Sequence, residues 1–236
     1  MSVNATLDQG NSCTKLVLFD SATGAEVACA TLKSADEVRQ AVGGHDVSAA
    51  IGCTVSSGNI PELLAATGAP STSLFSSTDP APLANGYANP AALGADRLAA
   101  AVGAAALHPG EDLLVADIGT AVTYDLVSAD GRFLGGNIAP GPGMRLRALN
   151  HYTAQLPLVS GHAPVPAYGT DTHGAMRAGA LRGVVAELLM YASDGRRLIL
   201  SGGWAPEIAA LLPQGTQYEI HPHLVNLGLN KILNQK

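Results

Sequence analysis

The sequence predicts an α/β fold made of two similar domains, and three observations carry that prediction. A pattern of an apolar residue, Asp-x-Gly, small hydroxyl or amide residues and a β-rich stretch occurs twice, as LDQGNSCTKLVLFD at 7–20 and ADIGTAVTYDLV at 116–127. The two aspartates, Asp8 and Asp117, lie 109 positions apart (117 minus 8), close to half of the 236 residues. Around each copy, strand-like and helix-like stretches alternate as strands, helix, strands, helix, the order of an α/β protein. The division is expected near residues 109–112, giving domains of residues 1–110 and 111–236.

Taken in order, each repeat reads as a strand entering an acidic glycine turn and returning as a second strand, a hairpin. Val47 to Thr54 is a short apolar strand that ends at a glycine-bearing turn, and Pro61 to Thr67 fits a short helix with proline near its first position. Residues 71–90, STSLFSSTDPAPLANGYANP, are rich in Ser, Pro, Asn and Gly and read as loop. Asp96 to His108 has helical composition and is stopped by Pro109-Gly110. Leu113 to Ile118 is the apolar run of a buried strand. Thr170 to Ala192 is the longest helix, and Leu198 to Leu200 is a strand ahead of Gly202-Gly203. Ala205 to Leu212 and Val225 to Asn234 close the chain as helices.

Composition removes several classes of function. With 47% hydrophobic and 14% charged residues, the chain is neither disordered nor a coiled coil. A net charge of −6 without a long basic run argues against nucleic acid and anionic membranes as partners. Any phosphate would be held by local backbone amides and single lysines. Cys13, Cys29 and Cys53 form no CxxC pair, and the seven histidines add no metal-ligand spacing, so the thiols read as buried or incidental in a reducing cytosol. Met1 to Gly10 lacks a basic region followed by an apolar stretch. The longest apolar run, Leu98 to Leu107, is mostly alanine and too short to span a bilayer, so a cytoplasmic protein is expected. His108, His151, His162, His221 and His223 read as loop or surface residues.

The chemistry concentrates in the two turns and between them. Gly10 allows the backbone to approach an anion, and the amides after it can donate to phosphate oxygens. Lys15 adds a positive point charge, and Asp8 would serve there as a Mg²⁺ ligand, directly or through water. An ordinary Asx-type hairpin turn with a solvated lysine is the competing reading. In the second turn, Thr120 and Thr123 offer hydroxyls and Asp117 a carboxylate for a cation. Asp96 and Arg97 open an alanine-rich helix; they read either as a helix cap with a surface charge, or as a base and an anchor for a hydroxyl substrate. Trp204 reads as cover for a core edge rather than an adenine platform. Asp125 either extends the cation site or satisfies hairpin backbone groups.

The paired turns resemble those with which the acetate kinase, hexokinase, actin and heat-shock-chaperone superfamily grips ATP. That resemblance implies a duplicated ribonuclease-H-like, two-domain fold with the active site between the lobes. More specifically, DxGNSxxK, GADR at 94–97, DIGTAVTYD, GGNIAPG at 135–141, TAQLP at 153–157, GTDT at 169–172, SGG at 201–203 and HLVNLGL at 223–229 resemble type III pantothenate kinase. The series covers nearly the whole chain. The departures are Ser12 and Ser201, each standing where that family usually has threonine and each keeping a hydroxyl.

The resemblance implies ATP-dependent phosphorylation of pantothenate to 4′-phosphopantothenate, the first step of coenzyme A biosynthesis, by a homodimer that uses Mg²⁺ and K⁺ or NH₄⁺. Asp8, Gln9, Gly10, Asn11, Ser12, Cys13, Thr14 and Lys15 look like the ATP phosphate loop, and Thr120 like an ATP contact. Tyr87, Gly94, Ala95, Asp96 and Arg97 look like the pantothenate site, with Asp96 as the proton acceptor. Asp117 resembles the monovalent-cation ligand, and Thr172 resembles a substrate contact contributed across the dimer interface. Against this stand a kinase of the same superfamily with another hydroxyl substrate, a non-catalytic regulatory protein retaining the fold, and an actin-like assembly protein.

Overall fold

The computed structural model describes residues 1–56, 58–161 and 163–235, so the histidine at 162 lies outside the described residues. The chain forms two compact units. The first comprises Met1–Glu111, Val127–Gly135 and His223–Lys236, and the second Asp112–Leu126 and Gly136–Pro222. Among the described residues, no helix is long and apolar enough to cross a membrane.

The first unit begins with β1 (Ser2–Gln9), β2 (Thr14–Asp20), β3 (Glu26–Leu32), α1 (Ala35–Val42), β4 (Asp46–Thr54), α2 (Ile60–Ala66) and β5 (Thr72–Leu74). Its sheet runs β3-β2-β1-β4-β5, antiparallel across β1, β2 and β3 and parallel from β1 through β4 to β5. Alternation along β1 gives the sheet two faces. Val3, Ala5 and Leu7 join Leu16 and Leu18 against Val38 of α1 and Ile60, Leu63 and Leu64 of α2. Helix α1 was not expected from the sequence; its start is fixed by Ser34, which accepts from the Glu37 amide, while the Glu37 carboxylate accepts from the Lys33 amide. The stretch 71–90, read as loop, also contains β5 and a two-residue strand β6 (Ala84–Asn85).

The opposite face of β1 carries Asn4 and Thr6, and it is covered by two helices, α3 (Ala95–Leu107) and α7 (Leu224–Leu233). Asn226, wholly buried, donates from Nδ2 to the carbonyls of Thr6 and Lys15 and to Thr6 Oγ1. One and two helical turns later, Asn230 Oδ1 and Asn234 Oδ1 both accept from Asn4 Nδ2. Helix α7 crosses α3 at two glycines. A Cβ on Gly228 would lie 1.8 Å from the Ala99 carbonyl oxygen, and one on Gly103 would lie 2.4 Å from that of Leu224. The end of the sequence, assigned by position to residues 111–236, thus packs within the first unit.

The second unit repeats the plan with β7 (Leu113–Ile118), β8 (Ala121–Ser128), β9 (Arg132–Pro140), α4 (Pro142–Tyr152), α5 (Thr172–Tyr191), β10 (Arg197–Ser201), α6 (Ala205–Ala209) and β11 (Tyr218–Ile220). Its strand order, β11-β10-β7-β8-β9, reproduces that of the first sheet, with β7 parallel to β10 and β10 parallel to β11. Its core joins Leu114, Ala116 and Ile118 to Leu181, Val184 and Leu188 of α5 and Ile208 of α6. The tip of the β8–β9 hairpin belongs to the first unit, where the start of β9 pairs in parallel with β6, Ala84 with Arg132 and Asn85 with Phe133. Helix α6 ends at Ala209, short of the expected Leu212.

Candidate active site

Within the first unit, the β1–β2 hairpin closes through residues 10–13, where the Gly10 amide donates to the Cys13 carbonyl at 3.1 Å. Asp8 and Lys15 are register partners, so their side chains leave the hairpin on one face. That is the face of Asn4 and Thr6, two and four residues back along β1. On the other side of β1, Asp8 faces Cys53 of β4. Gln9 is buried, and its side-chain oxygen accepts from Thr54 Oγ1 at 3.0 Å, which ties the hairpin to the end of β4. Asn11 and Ser12 at the tip are exposed.

The start of α3 supplies the second part. Gly94 is its N-cap, without a side-chain capping bond. The Asp96 carboxylate instead accepts from the Arg97 amide at 2.8 Å, so Asp96 is not the helix cap. A Cβ on Gly94 would fall 2.5 Å from Asp96 Oδ1, which explains glycine there. Arg97 is buried rather than a surface charge, its guanidinium 5.7 Å from the centre of the Tyr87 ring and 5.8 Å from that of Phe133. Those two rings meet edge to face at 6.2 Å. Phe133 was not singled out in the sequence, because only the pairing of β6 with β9 brings it beside Tyr87.

The electrostatics connect these pieces. Burial raises the Asp96 pKa, and the Arg97 amide and guanidinium pull it back in part. The fully buried Cys53 thiol is pushed well above its ordinary pKa, first by burial and then by the negative charges of Asp8 and Asp96. Both carboxylates therefore act on the same buried sulfur. The first unit gathers a glycine turn with a lysine, two carboxylates, and an arginine packed against a pair of touching aromatic rings.

In the second unit, the β7–β8 hairpin turns through Gly119 and Thr120, and the Gly119 amide donates to the Ala121 carbonyl. Asp117 faces Ser201 of β10, as Asp8 faces Cys53 of β4. Gly202, at φ +88°, lies against this aspartate; a Cβ there would be 2.4 Å from Asp117 Oδ1. The Gly141 amide donates to the Thr120 carbonyl at 3.1 Å, and a Cβ on Gly141 would meet the Gly119 oxygen at 2.2 Å. The turn, the N-cap of α4 and Gly202 thus come close together, a cradle of the kind that suits phosphate or a cation. Trp204 packs against the core of this unit, as expected of a residue covering a core edge, and its amide donates to the Ile118 carbonyl. Asp125 is buried in β8 beside Gly136, where a Cβ would come 2.6 Å from its carboxylate.

Helix α4, missed in the sequence, is positioned by polar contacts. Glu187 of α5 binds Arg145 at 2.6 Å and accepts from the Tyr124 hydroxyl at 2.7 Å, while Arg145 Nε donates to the Pro140 carbonyl. Burial and Glu187 together raise the Tyr124 pKa. Thr172 is exposed at the first position of α5, next to the N-cap Asp171, whose carboxylate accepts from the Gly174 amide at 2.8 Å. Three histidines read as loop or surface residues have carboxylate neighbours: His108 lies 3.7 Å from Glu111, His221 3.2 Å from Glu219 and His223 3.0 Å from Glu26.

The family model described as type III pantothenate kinase matches residues 5–193. A type III pantothenate kinase from Porphyromonas gingivalis is 39% identical over 246 aligned positions, covering 99% of this chain and 98% of that one. One from Bacteroides fragilis is 35% identical over 243 positions, covering 98% of each. Among solved structures, a conserved Baf family protein from Campylobacter jejuni superposes with a TM-score of 0.65 at 21% identity, covering 98% of both chains, a likeness of fold.

Proposed function

The chain belongs to the type III pantothenate kinase family, and on that premise we propose how its residues carry out ATP-dependent phosphorylation of pantothenate. The duplicated ribonuclease-H-like fold and the family together make it a phosphotransferase with an alcohol acceptor, acting at the first step of coenzyme A biosynthesis. Bound ATP supplies the phosphoryl group. The residues that fit its phosphates in the first unit are the Gly10–Thr14 backbone and Lys15, with Asp8 as the Mg²⁺ ligand.

Asp96 is the proton acceptor. Its burial-raised pKa makes the carboxylate a better base than an exposed aspartate, which is what removal of an alcohol proton requires. The hydroxyl oxygen attacks the γ-phosphorus, the P–O bond to ADP breaks, and the hydroxyl proton passes to Asp96. Arg97, packed against the Tyr87–Phe133 pair, orients the polar part of pantothenate, and Gly94 and Ala95 leave room beside it. The observation that carries this reading is the half-buried Asp96 carboxylate at the start of α3, its pKa raised by desolvation and its position held by the Arg97 amide.

Further assignments rest on the second unit. Thr120 contacts ATP, and Asp117 holds K⁺ or NH₄⁺ in the cradle formed with Gly202. Thr172 serves the substrate site of a second copy in a homodimer. Support for the dimer comes from apolar side chains left open along α4, among them Leu149 and Tyr152, the latter 82% exposed. A cytoplasmic location, with small molecules and a second copy as the partners, completes the reading.

Coupled ADP release with ATP and Mg²⁺ tests it, with and without pantothenate and in K⁺, NH₄⁺ or Na⁺ salts. ADP formation that requires pantothenate and rises with K⁺ or NH₄⁺ but not Na⁺ is the expected result. Nucleotide binding without turnover would return the chain to a regulatory role, and equal rates in the three salts would remove the cation role of Asp117.

A further inference from the structure

We propose that Glu26, Cys29 and His223 form a divalent-metal site suited to Zn²⁺, which fastens the edge strand β3 to the start of α7. The ligand-capable atoms of the three side chains lie within 4.8 Å of one another. His223 Nδ1 sits 3.1 and 3.0 Å from the two carboxylate oxygens of Glu26. The site is separate from the phosphate turn and independent of the kinase reading.

The backbone explains why these residues meet. Residues three apart on a regular strand point to opposite faces, so Glu26 and Cys29 would diverge. The pairing of β3 with β2 carries a bulge: Phe19 opposes Glu26, Leu18 opposes Ala28 and Val17 opposes Cys29. Val27 is the extra residue, and it returns Glu26 and Cys29 to one face. That face is the one of Val17 and Phe19, whose register partners on β1 are Thr6 and Asn4. Thr6 and Asn4 bind Asn226, Asn230 and Asn234, so it is the face on which α7 lies. His223, the residue before α7, is set at the edge of that face by the same asparagine contacts. Two rigid elements thus deliver three ligands of different type to one point.

The donor set selects the metal. A thiolate, an imidazole and a carboxylate suit tetrahedral Zn²⁺, whereas Mg²⁺ and Ca²⁺ prefer oxygen alone. Bonds of about 2.0–2.3 Å place tetrahedral ligands roughly 3.3–3.8 Å apart, so a small contraction of the exposed Glu26 and Cys29 side chains toward the half-buried His223 closes the site. Water takes the fourth position. A His–Glu ion pair accounts for two of the three groups and leaves unexplained the thiol beside them; at a surface such a pair stabilises little.

The experiment is a Zn²⁺ titration of the metal-free full chain, without nucleotide, against a chromophoric chelator, with Co²⁺ as a spectroscopic substitute. Wild type is expected to bind one Zn²⁺ per chain at micromolar concentration or tighter. Cys29→Ser and His223→Gln should each weaken binding by at least ~10-fold. Co²⁺ should give a thiolate charge-transfer band that Cys29→Ser abolishes and Glu26→Gln retains. Thermal melts in chelator establish that the variants fold like wild type, and a given concentration of Zn²⁺ should raise Tm more in wild type than in Cys29→Ser or His223→Gln. Failure to bind Zn²⁺ at micromolar concentration, or equal binding by wild type and Cys29→Ser, would overturn the site.

Discussion

Asp96 ionises where its charge is disfavoured: burial raises its pKa, and the amide and guanidinium of Arg97 offset only part of the rise. A folded-state pKa above the unfolded one means that the folded chain holds this proton more tightly. The stabilisation is therefore full below the unfolded pKa and is lost as pH rises through the folded pKa. Asp96→Asn removes that loss. The variant should melt above wild type at neutral pH, with the advantage vanishing in acid, while turnover falls by roughly 100- to 10,000-fold and nucleotide binding persists. In wild type, kcat/KM should decline as pH drops through the raised pKa, because protonated Asp96 cannot accept a proton. Wild-type-like turnover in Asp96→Asn, read by coupled ADP release, would remove Asp96 as the base; a lower Tm at neutral pH would remove the burial argument. Gly94, Asp96 and Arg97 were legible because a short motif carries them. Phe133 was not, since no local pattern places it over Arg97. Cys53 is buried, one of the two readings the sequence allowed, but the carboxylates that act on it come from β1 and α3 and are not visible in its local sequence.

Among the elements, the crossing of α3 and α7 is the most demanding contact. With 1.8 Å between a Cβ on Gly228 and the Ala99 carbonyl oxygen, Gly228→Ala must separate the helices, because backbone cannot rotate aside as a side chain can. The expected cost is about 3 kcal/mol or more. Asn226→Ala, which strands the polar groups of Thr6 and Lys15, should cost about 1–3 kcal/mol. Urea unfolding midpoints compare the two, and an unchanged midpoint for Gly228→Ala would refute the close crossing. Helices α3, α5 and α7 were readable from sequence because apolar and small residues dominate them. Helix α4 was not: Gly141-Pro142-Gly143 precedes a polar stretch, and the Arg145–Glu187–Tyr124 contacts that hold it are tertiary. Strands β5, β6 and β11 are too short to show a period, and the cap of α1 at Ser34 and Glu37 was a signal passed over.

For the molecule as a whole, the 109-residue interval between Asp8 and Asp117 announced a duplication, and the two matching strand orders realise it. Sequence position alone could not show that residues 127–135 and 223–235 pack in the first unit, because that depends on partners far along the chain. At the scale of an assembly, the proposed dimer makes a complementation test. Asp96→Asn and Thr172→Ala should each depress activity alone, and co-expression should restore it, since a mixed dimer unites an intact Asp96 with the intact Thr172 of the other copy. Activity no greater than that of the better single variant would place Thr172 in the service of its own chain. The position of α7 has a consequence for synthesis. The ribosome releases β1, β2 and α3 long before the asparagines that cap them exist. Asn4, Thr6 and the helix face around Gly103 must wait for residues 224–234. The nascent protein therefore carries its first unit unfinished until residues 224–233 have been made, and a chain cut short before them is damaged at its beginning.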